Sequence, residues 1–166
     1  MSTLWSYFWP ILATTMIVGI FAGLIAFRRP KKRKLALGGG LAIALGLAAL
    51  WHGPLGGAQR LTDRIEGDAQ ATLDFYELTH FSAHLHHGPL TRHLVLSGPA
   101  DDFQRTELVR TMDLIPGVSS VSWSDADAGP PLIAEAAATA IAGFLFGLML
   151  AYLLELRRRY NAQWTW

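Results

Sequence analysis

The sequence predicts an α+β membrane protein in which three transmembrane helices carry a small αβ domain between the second and the third. Three apolar segments are almost free of charge: residues 4–27, 35–51 and 132–154. Their lengths are close to or above the roughly 20 residues that a spanning helix needs. Residues 52–130 hold eleven acidic and five basic side chains, whereas the flanking segments are strongly basic. This asymmetry is typical of a membrane protein with one domain outside the bilayer.

Two basic clusters set the predicted topology, because Lys and Arg concentrate in loops retained on the cytoplasmic side and attract anionic headgroups. We predict that residues 28–34 form a cytoplasmic loop, that residues 156–166 form a cytoplasmic tail, and that the N-terminus and the central domain lie outside. The topology and headgroup residues are Arg28, Arg29, Lys31, Lys32, Arg33, Lys34, Arg157, Arg158 and Arg159.

The predicted transmembrane helices cover residues 1–27, 35–52 and 131–155. A cleaved signal peptide is disfavoured for the first, because its positive charge follows the apolar run. The second is short and rich in glycine, which suits close packing against neighbouring helices. The predicted helix-packing positions are Gly19, Gly23, Gly39, Gly46, Ala136, Ala140, Gly143 and Gly147.

The central domain begins with apolar residues at helical spacing over residues 59–75 and then alternates apolar and polar residues from Leu78. These patterns predict a helix and a first strand, followed by a turn at 87–90 and a second strand over 93–97. With a tight turn, Ala83 would pair with Leu94 and Phe81 with Leu96, which places apolar residues on one face.

The rest of the domain predicts a second helix and a third strand over residues 118–123. Asp101 is a plausible N-cap of the helix, and Pro116-Gly117 ends it. The predicted apolar side of this helix consists of Phe103, Leu108, Val109, Met112 and Leu114 or Ile115.

The predicted domain covers residues 57–127, and its order helix–strand–strand–helix–strand over about 57–124 resembles the BON domain of bacterial envelope proteins. The most specific motifs are Leu-Val-Leu-Ser-Gly at 94–98 and Pro-Gly-Val-Ser-Ser-Val at 116–121. The resemblance implies a periplasmic αβ module on a bacterial inner-membrane protein. Such modules are proposed to bind membrane lipid or to anchor larger proteins, and the resemblance carries over no catalytic residue.

Histidines are the candidate ligand residues, since the chain has no cysteine for a thiolate site or a disulfide. In the predicted register His84 faces His93 and His86 follows on the same face, so three imidazoles could hold Zn²⁺, Cu²⁺ or Ni²⁺. A polar solvent face is the preferred interpretation, because no carboxylate is placed to orient the rings. His52 follows Ala48 at the spacing that resembles bacteriochlorophyll-binding helices of bacterial light-harvesting proteins. Its position at a helix end favours an ordinary interfacial histidine.

The sequence disfavours several classes of function. It has no nucleophile–base set, no phosphate-binding loop and no paired intramembrane carboxylate, so neither an enzyme nor a transporter is expected. The basic loop is short and close to the bilayer, which favours lipid over nucleic acid. We expect no small-molecule substrate and no required cofactor, with lipid or pigment between the helices left open.

Two hypotheses remain. In the first, the chain is a non-catalytic accessory or scaffolding subunit of a larger bacterial inner-membrane complex, respiratory or photosynthetic, and its partners are other membrane subunits. In the second, it is a free-standing envelope protein whose BON-like domain binds lipid or cell-wall partners. The acidic domain disfavours anionic membrane surfaces, which favours the first hypothesis.

Overall fold

The computed structural model describes residues 3–124 and 129–162 and contains five α-helices and three strands within these ranges. The chain divides into two compact units. We call Met1–Tyr7 with Gly56–Glu135 the αβ unit, and Phe8–Leu55 with Ala136–Trp166 the helical unit. In chain order the elements are α1 (Thr3–Arg28), a 3₁₀ turn (Pro30–Lys32), α2 (Arg33–His52), α3 (Gly57–Phe75), β1 (Ser82–His87), β2 (Leu90–Ser97), α4 (Asp102–Met112), β3 (Ser120–Ser122) and α5 (Leu132–Ala162).

Three helical segments are long and apolar enough to cross a membrane: Thr3–Arg28, Pro30–His52 and Leu132–Ala162. The α+β class and the presence of three such helices are therefore as predicted. Helix α5 extends seven residues past the predicted end, because the arginines after residue 156 are good helix formers. The predicted domain end at 127 and the last part of the predicted tail, 163–166, lie outside the described residues.

In the helical unit α1 and α5 pack with their main chains in contact. A Cβ atom placed on Gly147 would overlap the carbonyl oxygen of Met16 and lie 2.9 Å from the Cα of Gly19. One placed on Gly143 would overlap the hydroxyl of Thr15, and one on Gly23 would lie 2.5 Å from the Cβ of Ala151. Only glycine permits so close an approach, so the small residues predicted in these two helices lie in a contact inside the chain.

Helix α2 joins this packing through a glycine that the sequence did not single out. A Cβ on Gly40 would lie 2.7 Å from that of Ala22 and 3.0 Å from the ring of Phe144. The predicted positions Gly39 and Gly46 instead have no atom within 4 Å of an added Cβ. The packing face of α2 is therefore rotated away from two of its predicted residues, whereas the predicted Ala136 and Ala140 of α5 are fully buried.

The αβ unit has a three-stranded sheet in the order β1-β2-β3, with β1 antiparallel and β3 parallel to the central β2. Its αββαβ order follows the prediction. Asp101 caps α4, because its carboxylate accepts the Gln104 N–H at 2.7 Å and the Gln104 side chain accepts the Asp101 N–H at 3.2 Å. The predicted N-cap is therefore confirmed. The buried core contains Leu61, Ile65, Ala69, Leu73, Leu85, Leu94, Leu96, Leu108, Met112 and Ile115.

The predicted turn at 87–90 agrees with the structure, in which His87 pairs with Leu90, but the predicted register beyond this pair is wrong by two residues. Leu85 pairs with Leu94, and Ala83 pairs with Leu96. The ladder shifts between Leu85 and His87, because β2 contains two more residues than β1 in this interval. A shift of two keeps every side chain on its predicted face, so the apolar side of the hairpin still faces the core.

Candidate functional site

The αβ unit carries a groove between the end of α3 and the side of α4. It has a volume of about 430 Å³, and its walls are mainly aromatic and aliphatic. The lining residues are Tyr76, Leu78, Phe81, Phe103, Gln104, Glu107, Leu108 and Thr111. We call this feature the aromatic groove.

A tight turn after α3 places two of the groove residues. Helix α3 ends at Phe75, and Glu77 adopts a positive φ of 59° that reverses the chain direction. The Leu78 N–H then donates to the Leu73 carbonyl at 2.9 Å, which closes the helix in the manner of a left-handed C-cap. Tyr76 and Leu78 are therefore held by backbone hydrogen bonds.

The floor of the groove is Phe81, whose side chain is buried. Its ring packs edge-to-face on Trp123 with 6.0 Å between centroids, and the Trp123 indole N–H donates to the Arg105 carbonyl at 3.3 Å. The Arg105 guanidinium lies 5.4 Å from the Trp123 ring centroid, at cation–π distance. Gly98 is required beside this floor, because an added Cβ would lie 2.6 Å from the Phe81 ring.

The walls of the groove expose large apolar side chains. Phe103 is 74% exposed and Tyr76 is 56% exposed, while neighbouring Phe75 is 79% exposed and packs edge-on against Tyr76. Contiguous apolar patches of this kind mark binding surfaces on proteins, and aromatic residues are enriched at interfaces. The groove thus combines a fixed floor with exposed apolar walls, and burial of those walls by a partner would be favourable.

The prediction that Phe103 lies on the buried side of α4 is wrong, since Phe103 is 74% exposed. Leu108 and Met112 are buried as predicted, and of the two predicted alternatives Ile115 is the buried one, while Leu114 is 81% exposed. Helical spacing counted back from Leu108 leads to residues 104 and 105, so Phe103 lies off the apolar stripe. A stricter use of that spacing would have identified Phe103 as an unpartnered aromatic.

Glu107 is the carboxylate among the residues that line the groove, and in sequence Glu77 follows Tyr76 and Asp102 precedes Phe103. The site therefore presents mainly apolar walls with a carboxylate among them. Its geometry suits the binding of an apolar group with positive charge beside it.

The three candidate metal-ligating histidines are not brought together. His93 is buried, and its ring nitrogens bond the Ser120 hydroxyl at 2.8 Å and the Ser122 hydroxyl at 2.9 Å. His84 is exposed and lies opposite Val95, while His86 lies at the register shift. Residues 3–124 and 129–162 contain no group of three or more His, Cys, Asp or Glu side chains placed to hold a metal ion. The predicted facing of His84 and His93 is wrong, since it depended on the predicted register.

The other candidate residues lie at the ends of helices. His52 is the last residue of α2, so the pigment-ligand hypothesis stays a prediction. Glu135, in the first turn of α5, forms a two-pronged ion pair with Arg92 at 2.8 and 3.0 Å. At the other end of α5, three arginines of the two basic clusters gather around Glu155: Arg28, Arg158 and Arg159.

No protein-family model, curated protein or solved structure matches this chain. The resemblance to the BON domain stays a prediction, based on the αββαβ order and the motifs at 94–98 and 116–121.

Proposed function

We propose that this chain is a non-catalytic subunit of a larger membrane complex, anchored by its three apolar helices, and that the aromatic groove docks a partner protein. The observation that carries the proposal is the exposure of Phe103 and Tyr76 beside a floor fixed by Phe81 and Trp123. Interfaces obtain most of their binding energy from a few apolar or aromatic side chains inserted into such sites.

The surroundings of the groove define the chemistry of the occupant. A volume of about 430 Å³ falls within the range of about 300–1,000 Å³ typical of binding pockets. The carboxylates of Glu77, Asp102 and Glu107 favour a segment with Lys or Arg beside its apolar anchor. The same charge disfavours an anionic membrane surface, so we propose a protein segment with an apolar anchor and a basic flank.

The proposed setting is a bacterial inner membrane with the αβ unit, similar to a BON domain, on the periplasmic side. Support for this orientation comes from the arginine and lysine residues that follow α1 and from those near the end of α5. Support for anchoring comes from the length and hydropathy of the three helices. The partners are other subunits of the complex, and the groove is the surface that one of them covers.

The test uses the full chain in its native membrane, extracted in mild detergent and separated on a native gel with mass spectrometry of the band. We expect the wild-type chain to migrate with other membrane proteins at a fixed ratio. Phe103→Ala should shift most of the chain to the free position, because truncating a buried interface aromatic costs on the order of 2 kcal/mol. Leu114→Ala is the matched control, since Leu114 is as exposed as Phe103 but does not line the groove.

Migration of the wild-type chain alone would overturn the subunit role. Equal loss or equal retention of the complex in Phe103→Ala and Leu114→Ala would overturn the groove as the docking surface. If the wild-type chain migrates alone but binds lipid vesicles or cell-wall material through Phe103, the envelope hypothesis replaces the subunit role.

A further inference from the structure

The helical unit contains a charged cavity where α1 leads into α2. Helix α1 ends at Arg28, the 3₁₀ turn covers Pro30–Lys32, and α2 starts at Arg33. The cavity has a volume of about 330 Å³, within the range of about 300–1,000 Å³ found for ligand sites. Its lining residues are Ala26, Phe27, Pro30, Arg33, Tyr152, Glu155, Leu156 and Arg159.

Glu155 is the organising residue of this cavity. Its side chain is only 7% exposed, and a carboxylate so withdrawn from water needs positive partners. The Nε of Arg28 and the Nε of Arg158 lie 3.3 and 3.6 Å from its Oε2, and the Nε of Arg159 lies 3.5 Å from its Oε1. One carboxylate thus positions three guanidinium groups from two helices.

Positive charge exceeds negative charge at the cavity. Arg33 adds a fourth guanidinium as a lining residue, so four arginines either line the cavity or pair with its one carboxylate. The ion pairs with Glu155 are made through Nε, and each arginine carries two further amino groups suited to a second acceptor. The side chains of Arg28, Arg158 and Arg159 are 49%, 62% and 67% exposed, so these groups are accessible. Arginine forks match the oxygen geometry of phosphate groups.

The remaining wall of the cavity is apolar. Phe27 and Tyr152 pack edge-to-face with 5.8 Å between ring centroids, and Leu156 lies beside them. Tyr152 and Leu156 are half-exposed on the outer surface of α5. The cavity therefore joins a mouth that carries arginines to a surface that hydrocarbon chains can cover, which is the combination a phospholipid requires.

From this geometry we infer that the cavity binds the phosphate group of an acidic phospholipid. Arg33 and Arg159 contact the phosphate, and Glu155 acts as a positioning residue that holds Arg28, Arg158 and Arg159 in place. Free inorganic phosphate shares the same chemistry and is the other possible source of the anion. The inference requires that the helices span a membrane, but it does not depend on the aromatic groove.

The test titrates the purified full chain in neutral detergent with phosphatidylglycerol, phosphatidylcholine or inorganic phosphate, and native mass spectrometry counts the bound lipid. We expect one phosphatidylglycerol per chain and weaker binding of phosphatidylcholine. Inorganic phosphate in large excess should leave the lipid bound, whereas displacement at comparable concentration would assign the same site to free phosphate. Equal binding of the two lipids would overturn the inference.

Matched variants separate the cavity from general surface charge. Arg33→Gln with Arg159→Gln should weaken phosphatidylglycerol binding on the order of tenfold, because both side chains line the cavity. Lys31→Gln with Arg157→Gln removes the same charge outside the cavity and should change it by less than about twofold. Equal losses in the two double variants would overturn the inference.

Glu155→Gln gives the sharpest distinction. If Glu155 positions the arginines, its loss weakens lipid binding even though it removes a negative charge. If the site is only a diffuse basic surface, the same change strengthens binding, and that result would overturn the positioning role. Where Glu155→Gln does not fold, the two double variants decide the question, and none of these outcomes bears on the native-gel test of the groove.

Discussion

The two units of this molecule differ in how their interiors are packed. The core of the αβ unit consists of large side chains that are fully buried, among them Ile65, Leu73, Leu94 and Met112. In the helical unit the closest contacts join main chains, where Gly19 meets Gly147 and their neighbours. Side-chain volume stabilises the first unit, whereas the absence of side chains lets the second one close.

This difference changes what an exposed apolar residue means. In the helical unit, Phe21 is 64% exposed and Leu35 is 76% exposed, as suits helices apolar enough to face lipid. In the αβ unit, Phe103 is 74% exposed and lines the aromatic groove together with Tyr76, which is why we propose that a partner covers it. An exposed apolar side chain thus suits contact with lipid in the helical unit, and in the αβ unit it supports a proposed binding surface where several such side chains line one groove.

The largest effect we predict tests the side-chain core. Leu94→Ala should lower the free energy of opening of the β2 amides by about 2–5 kcal/mol, because Leu94 is fully buried and its loss leaves a cavity. Hydrogen exchange of the full chain in detergent measures this unit separately from the helices. The exposed Leu114→Ala is the control and should change it by less than about 0.5 kcal/mol. Equal effects would mean that β2 is not part of a packed core.

The second prediction tests the glycine contacts. Gly147→Ala should destabilise the packing of α1 and α5 by about 1–3 kcal/mol, because its Cβ would overlap main-chain atoms of α1. Gly39→Ala places the same methyl group in open space and should be neutral or stabilising by up to about 1 kcal/mol, since alanine favours helix. Hydrogen exchange of the α1 and α5 amides measures both variants. Destabilisation by Gly39→Ala would show that its face is covered in the membrane.

The elements were largely predictable from the sequence because their signals are local. The change from helical spacing to alternation, the Asp101 cap and the Pro116-Gly117 break are all set by neighbouring residues. The hairpin register was not, since the shift in β2 accompanies distant contacts. Arg92, within the shifted segment, bonds Glu135 and the Gly117 carbonyl. No pattern in the residues around Arg92 predicts these two partners.

The candidate site was predictable only in part, for the same reason. The spacing of α4 contained enough information to place Phe103 off the apolar stripe, but the groove also needs the Glu77 turn and the packing of Phe81 on Trp123. In the helical unit, small residues marked α1 and α5 as packing helices, yet α2 uses Gly40 instead of Gly39. Its rotation is set by Ala22 and Phe144, which lie on other helices.

The smallest effect we predict concerns a polar group inside the αβ unit. His93→Gln should destabilise β2 and β3 by about 1–2 kcal/mol, because a glutamine cannot keep both ring hydrogen bonds to Ser120 and Ser122. His84→Gln is the control, and its exposed side chain should change the opening free energy by less than about 0.5 kcal/mol.

The same pair of variants tests whether the histidines bind metal. Both His93 ring nitrogens already contact serine oxygens, so Zn²⁺ should leave the hydrogen exchange of the wild-type chain unchanged. A ligand that binds only the folded state raises its stability in proportion to the logarithm of its concentration. Zinc-dependent protection from hydrogen exchange that is lost in both His93→Gln and His84→Gln would contradict the expected absence of a zinc effect. It would mean that the hairpin can adopt a register in which these two histidines face one another. Protection lost in neither variant would place the zinc elsewhere and leave His93 as a structural link between β2 and β3.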